Sequence, residues 1–145
     1  MKKQQQLSEI AIQTSAFVWF SNTYTHLRGC LYAHSNGIPV PSKDEGISGV
    51  ALAKVKAWAK RHGQRLKFSG TVAGVADMAF MYKGEVTYIE LKTATGTQSQ
   101  KQKDWQALCE KHGFSYFVVR DLETFQQLIN SVMLLSADRM QHLDA

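Results

Sequence analysis

An α/β domain with a mixed sheet of three or four strands is expected, and three observations carry that reading. Two apolar runs, Ala76–Tyr82 and Glu85–Lys92, meet at Lys83-Gly84 and read as a hairpin. A third run, Ser115–Arg120, follows a helical pattern, so the strand–helix–strand unit from Val86 to Arg120 should be a right-handed parallel crossover. Helical periodicity brackets this core on both sides, giving the order α-α-β-β-α-β-α.

The elements follow in chain order. Ser8 can cap a first helix with Ile10, Ala11, Thr14 and Phe17 on one face. Phe17-Val18-Trp19-Phe20 is a dense apolar patch, and Tyr24, Leu27, Leu31 and Tyr32 lie close behind it. Residues 22–41 are punctuated by Gly29, Asn36-Gly37, Pro39 and Pro41 and read as irregular. A second helix is expected over roughly Ile47 to His62, with Val50, Ala51, Val55 and Trp58 inward and Gly63 stopping it. After the glycine-rich approach Ser69–Val75 come the hairpin strands. Gln100–His112 forms a helix with Trp105, Leu108, Cys109 and His112 on one stripe. Asp121 caps a last helix carrying Phe125, Leu128, Ile129, Val132 and Met133, and the polar tail from Ser136 is expected to fray.

Composition bounds the function. The 145 residues make one domain, 1–145, large enough to bury a core. Hydrophobic residues at 44% and charged residues at 20% exclude a disordered chain. The net charge of +5 favours a polyanionic partner. Lys54, Lys56, Lys60, Arg61, Arg65 and Lys67 fall within fourteen residues, either as a solvated helix face or as a phosphate-binding surface. Cys30 and Cys109 lie far apart and outside any metal spacing, which suits a reduced, cytoplasmic protein. The stretch Ile10–Leu27 is too polar to span a membrane, and no signal peptide is expected. The histidines His26, His34, His62 and His112 show no ligand spacing.

The hairpin register locates the chemistry. With a two-residue loop, Tyr82 faces Glu85, which places Asp77 opposite Glu90. Like charges set across a strand pair are normally destabilising, so a bridging cation such as Mg²⁺ is implied. Lys92 lies on the same face as Glu90, while Met78, Phe80, Tyr82, Ile89 and Leu91 face the other way and suit a core. An odd loop length would instead separate Asp77 from Glu90 and leave Glu90 a surface residue paired with Lys92. Ser99-Gln100-Lys101-Gln102 is a capping-box pattern, which by itself accounts for Ser99 and Gln102.

Gly74-Val75-Ala76-Asp77, Ile89-Glu90-Leu91-Lys92-Thr93 and Gly96-Thr97-Gln98-Ser99 with Gln102 together resemble the core of the PD-(D/E)XK nuclease superfamily, more narrowly its VRR-NUC domain. The resemblance covers about residues 70–125. It implies a restriction-endonuclease-like mixed sheet flanked by helices and a metal-dependent DNA endonuclease using Mg²⁺ or Mn²⁺. By position, Asp77, Glu90 and the Leu91 backbone carbonyl would hold the metal, Lys92 would be the catalytic lysine, and Gln102 a further active-site residue. Glu9 is the candidate for the superfamily's additional first-helix glutamate. The family's usual Pro before the Asp is Ala76 here. Arg28-Gly29-Cys30-Leu31-Tyr32-Ala33 resembles the amino-terminal segment of small viral and bacterial members, and Arg28 is a candidate DNA contact with Lys56, Lys60, Arg61 and Ser99. The implied substrate is branched DNA such as a Holliday junction, in DNA repair within a bacterial or phage-infected cell, cut by a homodimer joined through the aromatic patch. The alternatives are a restriction-type enzyme reading a short sequence and a non-catalytic basic DNA-binding module.

Overall fold

A computed structural model describes residues 7–34, 46 and 48–143, the last six by backbone alone. Asn36-Gly37, Pro39, Pro41 and the expected helix start at Ile47 lie outside these residues. Among the described residues, four helices and four strands follow in the order α1 (Glu9–Thr23), β1 (Leu31–Ala33), α2 (Gly49–Phe68), β2 (Met78–Tyr82), β3 (Glu85–Leu91), α3 (Gln100–Lys111), β4 (Ser115–Val119) and α4 (Leu122–Leu143). A 3-10 turn, Thr25–Leu27, leads into β1. The strands form one mixed sheet in the order β1-β2-β3-β4. β1–β2 and β2–β3 are antiparallel, and β3–β4 is the parallel pair. The expected α/β architecture is therefore present, with helices on both faces of the sheet.

The hairpin forms in the expected register. Tyr82 pairs with Glu85 and Met78 with Ile89. Lys83 at φ 47° and Gly84 at φ 80° make the two-residue turn with both central residues left-handed, the geometry whose twist matches the flanking strands. β1 falls in the stretch expected to be irregular, because three residues are too short to show alternation. Among the described residues it is an edge strand laid on β2, with Leu31 opposite Phe80.

One face of the sheet carries the main core. Met78, Phe80, Ile89, Leu91 and Val119 pack against Ile12, Ala16 and Phe20 of α1 and Phe125 and Ile129 of α4. The opposite face carries a smaller cluster in which Ala76, Cys109 and Tyr116 are buried beside Tyr88, Trp105 and Val118.

Several sequence expectations need correction. In α1 the buried stripe is Ile12, Ala16 and Phe20, whereas Ile10 and Phe17 are exposed. The helix is apolar almost all round, so periodicity alone selects no face. In α2 the buried residues are Leu52 and Ala59, one position on from the expected stripe, and Val50 and Trp58 are exposed. Gly63 does not stop α2, which runs to Phe68. An interior glycine costs only about 1 kcal/mol, and Arg65 and Lys67 complement the negative end of the dipole. In α3 the exposed Leu108 and His112 leave the expected stripe, and Cys109 is the buried residue. Ser136 does not begin a frayed tail: it is buried, donates to the Val132 carbonyl at 2.8 Å, and α4 continues to Leu143. Much of the aromatic patch is core. Phe20 and Leu31 are buried, and Trp19, Tyr24 and Leu27 pack on them, leaving Phe17, Val18 and Tyr32 at the surface.

Candidate active site

The candidate site lies where β3 ends, on the face away from the main core. The β2–β3 ladder ends there, and its last pair, Met78 with Ile89, brings Asp77 and Glu90 next across from each other. The Asp77 carboxylate bridges the gap by accepting from the Leu91 amide at 2.7 Å. Asp77 is itself placed from the other side. The His34 amide donates to its carbonyl at 2.8 Å, and the His34 ring lies 2.7 Å from the Ala76 carbonyl. The short edge strand β1 thus leads into the site.

Glu90 and Lys92 sit at a strand end, as expected, but they are not surface residues. Glu90 is 0% and Lys92 6% exposed. The Lys92 ammonium lies 2.7 Å from Glu90 and 3.5 Å from Glu9, so the amino end of α1 closes over the end of the strand. Gln102 donates from its amide nitrogen to the same Glu90 oxygen, and Tyr116 donates to the other at 3.3 Å. Every buried side-chain polar atom among the described residues has a partner, as the cost of burying unmatched polar groups requires.

Electrostatics follow from this crowding. Burial above all pushes the Glu90 carboxyl up, and the Asp77 charge adds to that, while the hydrogen bond from Lys92 works against it. Burial pulls the Lys92 ammonium down, but its hydrogen bond to Glu90 and the charges of Glu90, Glu9 and Asp77 outweigh it, for a net rise. Burial first, then the Glu90 charge, holds the Tyr116 phenol well above its ordinary range, so it remains a donor.

Gln102 completes the helix cap and touches Glu90 at the same time. Its carbonyl oxygen accepts from the Ser99 amide at 2.8 Å while the Ser99 hydroxyl accepts from the Gln102 amide at 3.3 Å, completing the capping box of α3. Its amide nitrogen is left for Glu90. The helix cap therefore sets the side chain that touches the buried carboxylate. Gly74 makes this approach possible. At φ +89°, a Cβ there would lie 2.4 Å from the Lys101 backbone carbonyl oxygen and 2.9 Å from the Gln102 backbone nitrogen.

An open cavity of about 660 Å³ lies against this cluster. Glu9, Asp77, Ser99 and Gln102 line one side. Lys56, Lys60 and Lys67 of α2 line another, at spacings that put them on one helical stripe, and Lys101 joins them from α3. Of the expected DNA contacts, Lys56, Lys60 and Ser99 thus reach the cavity. Arg61 is not among its lining residues, and Arg28 lies elsewhere, donating to the Ser21 carbonyl at 3.0 Å.

Lys67 belongs to the expected basic run although it lies past the expected helix end. Three further contributors are not singled out by the sequence. Lys101 sits inside the capping motif. Tyr116 carries no local signal, since only the parallel pairing of β3 and β4 brings it to Glu90. Arg120 donates to the carbonyls of Thr93 and Gly96, the latter at 2.9 Å, and so secures the loop after Lys92.

The donor set suits a hard divalent cation. Asp77, Glu90 and the Leu91 carbonyl are all oxygen donors, and Glu9 brings the local carboxylates to three against one ammonium. Among the described residues no group of three or more His, Cys, Asp or Glu side chains stands close enough to hold a metal ion, so a cation held by Asp77, Glu90 and the Leu91 carbonyl would have to keep water in its remaining positions. Neither cysteine is in a disulfide. Among the described residues no helix is long and apolar enough to cross a membrane. No protein-family model, curated protein or solved structure matches this chain.

Proposed function

We propose that this protein is a metal-dependent DNA endonuclease that hydrolyses phosphodiester bonds. The observation that supports it most is the buried Glu90–Lys92 pair, set behind Asp77, Glu9 and Gln102, which line a cavity walled on another side by Lys56, Lys60 and Lys67; Glu90 and Lys92 are not themselves among the lining residues. A structural ion pair needs no such cavity, and a DNA-binding surface needs no buried carboxylates.

Each residue then has a task. Asp77, Glu90 and the Leu91 carbonyl would hold Mg²⁺ or Mn²⁺, which supplies Lewis-acid polarisation of the phosphate and a water acidic enough to attack. Lys92 is charged at neutral pH, so it serves by orienting water or by neutralising charge that develops on the phosphate rather than as a free base. Gln102 steadies Glu90. The α2 lysines and Lys101 neutralise backbone phosphates and carry no sequence information, which favours a structure-selective over a restriction-type enzyme. Branched DNA, such as a Holliday junction in the cytoplasm of a bacterial or phage-infected cell, is the proposed substrate. A homodimer would place two sites on strands related by a two-fold axis.

The test is cleavage of supercoiled plasmid, linear duplex and four-way junction in Mg²⁺ and in EDTA, with Lys92→Ala as control. Metal-dependent nicking, lost in the control, is expected. Binding without cleavage in Mg²⁺ would leave only the DNA-binding module, and a fixed set of fragments would indicate a restriction-type enzyme.

A further inference from the structure

Among the described residues, the nuclease reading leaves two buried titratable side chains without a task, the Cys109 thiol and the Tyr116 phenol, and of these the phenol touches Glu90. Tyr116 is 7% exposed on β4. In the parallel ladder it pairs with Tyr88, and Val118 pairs with Glu90, so Tyr116 stands one pleat back from Glu90 on the same face. Its hydroxyl donates to Glu90 Oε2 at 3.3 Å and accepts from the Gln98 amide nitrogen at 3.4 Å. That nitrogen also donates to the Gln106 carbonyl oxygen at 2.9 Å, which ties the chain of contacts to α3.

The two Glu90 oxygens are therefore held by different elements. Lys92 and Gln102 hold Oε1, and Tyr116 holds Oε2. The terminal torsion of a glutamate is broad, so donors on one oxygen leave the carboxylate free to turn. We propose that Tyr116 is a positioning residue that fixes the rotation of the Glu90 carboxylate, and so presents it to the divalent cation in one setting. This inference rests on the nuclease reading. It concerns a residue that never touches the substrate, and it follows from the way outer partners orient metal-binding carboxylates.

The test is Tyr116→Phe, which removes one oxygen and keeps the ring in the cluster with Trp105. Mn²⁺ binding to the DNA-free protein, read by calorimetry, should weaken about tenfold, the lower end of what losing such a partner costs. The Mg²⁺ concentration for half-maximal nicking should rise by a similar factor, with KM for DNA unchanged. A purely structural role would lower the melting temperature in EDTA and leave Mn²⁺ affinity alone, and that result overturns the proposal. Should Tyr116→Phe fail to fold, Gln98→Ala removes the donor behind the phenol and should weaken Mn²⁺ binding roughly threefold. Unchanged affinity there overturns the proposal equally. If the wild-type protein neither binds Mn²⁺ nor nicks DNA, the nuclease reading falls and this inference with it. If it does both and the variants match it, this inference alone falls.

Discussion

Asp77 and Glu90 are both carboxylates of one candidate site, yet their surroundings make them respond differently to the loss of charge. From sequence, either loss should relieve cross-strand repulsion of about 1 kcal/mol. For Asp77→Asn the same outcome is expected from the structure, because the amide oxygen can still accept from Leu91 and the repulsion on Glu90 is removed. The melting temperature in EDTA should stay level or rise, the change in stability being under about 1 kcal/mol. Glu90→Gln should behave oppositely. It leaves Lys92, 6% exposed, with a neutral amide oxygen where its near negative charge stood, and with Glu9 at 3.5 Å. A loss of roughly 2–4 kcal/mol is expected, less than for a fully unpaired buried charge because Glu9 remains. Both variants should lose Mg²⁺-dependent cleavage. A Glu90→Gln protein that melts above wild type in EDTA would show that the pair does not matter to the fold.

Two helices give predictions of their own. Asp121 Oδ1 accepts from the Thr124 amide at 2.7 Å at the start of α4. That backbone hydrogen bond, chiefly, holds the Asp121 carboxyl below its ordinary value of 3.8. A carboxyl with a depressed folded pKa contributes stability above its unfolded pKa and loses it as pH falls through the folded one. Asp121→Ala should therefore cost about 1 kcal/mol at pH 7, and the difference from wild type should shrink once pH drops below 3.8. Urea melts at pH 7 and pH 3 measure this, and an equal gap at both would refute the charged cap. In α2, the cavity wall separates lysines that the linear sequence lumps together. Changing Lys56, Lys60 and Lys67 to Ala should shallow the plot of log affinity against log salt by about 0.9 per contact, close to 3 in all. Arg61→Ala should change it less. Equal effects would return the whole run to a solvated face.

At the level of the molecule, the surface left for the proposed dimer is smaller than the aromatic content of the chain suggests. Phe20, Leu31 and Trp19 belong to the core, which leaves Phe17, Val18 and Tyr32 exposed beside β1. Phe17, Val18 and Tyr32 also line a second cavity of about 450 Å³ with Leu31 and Met78. β1 is an edge strand, and an edge strand flanked by apolar side chains is a natural place for a second copy to pair. Light scattering at micromolar concentration should give twice the 16.3 kDa chain mass, and Val18→Glu should return it to the chain mass. A monomeric wild type would remove the dimer while leaving the nicking activity open to its own test. A dimer cutting linear duplex as readily as a four-way junction would remove the preference for branched DNA.

Local chemistry made the hairpin and its carboxylate pair legible before any coordinates. A lysine-glycine pair between two alternating runs allows a two-residue turn, and that turn sets the register of every residue beyond it, Asp77 and Glu90 included. Ser8, Ser99 and Asp121 were readable as caps because capping acts over three residues. The meeting of Glu9 with Lys92 was suggested by family resemblance alone, since it joins residues 83 positions apart. The inward faces of α1 and α2 were not legible, because both helices offer apolar residues on more than one side and packing against the sheet selects among them. Tyr116 and Arg120 were silent for a related reason. Their partners lie on other elements, and only the docking of β4 beside β3 brings the phenol to Glu90 and the guanidinium to the loop behind Lys92. Burial of the Glu90–Lys92 pair belongs to the same level. It arises where a strand end, the first turn of one helix and the cap of another converge, and no single segment carries that information.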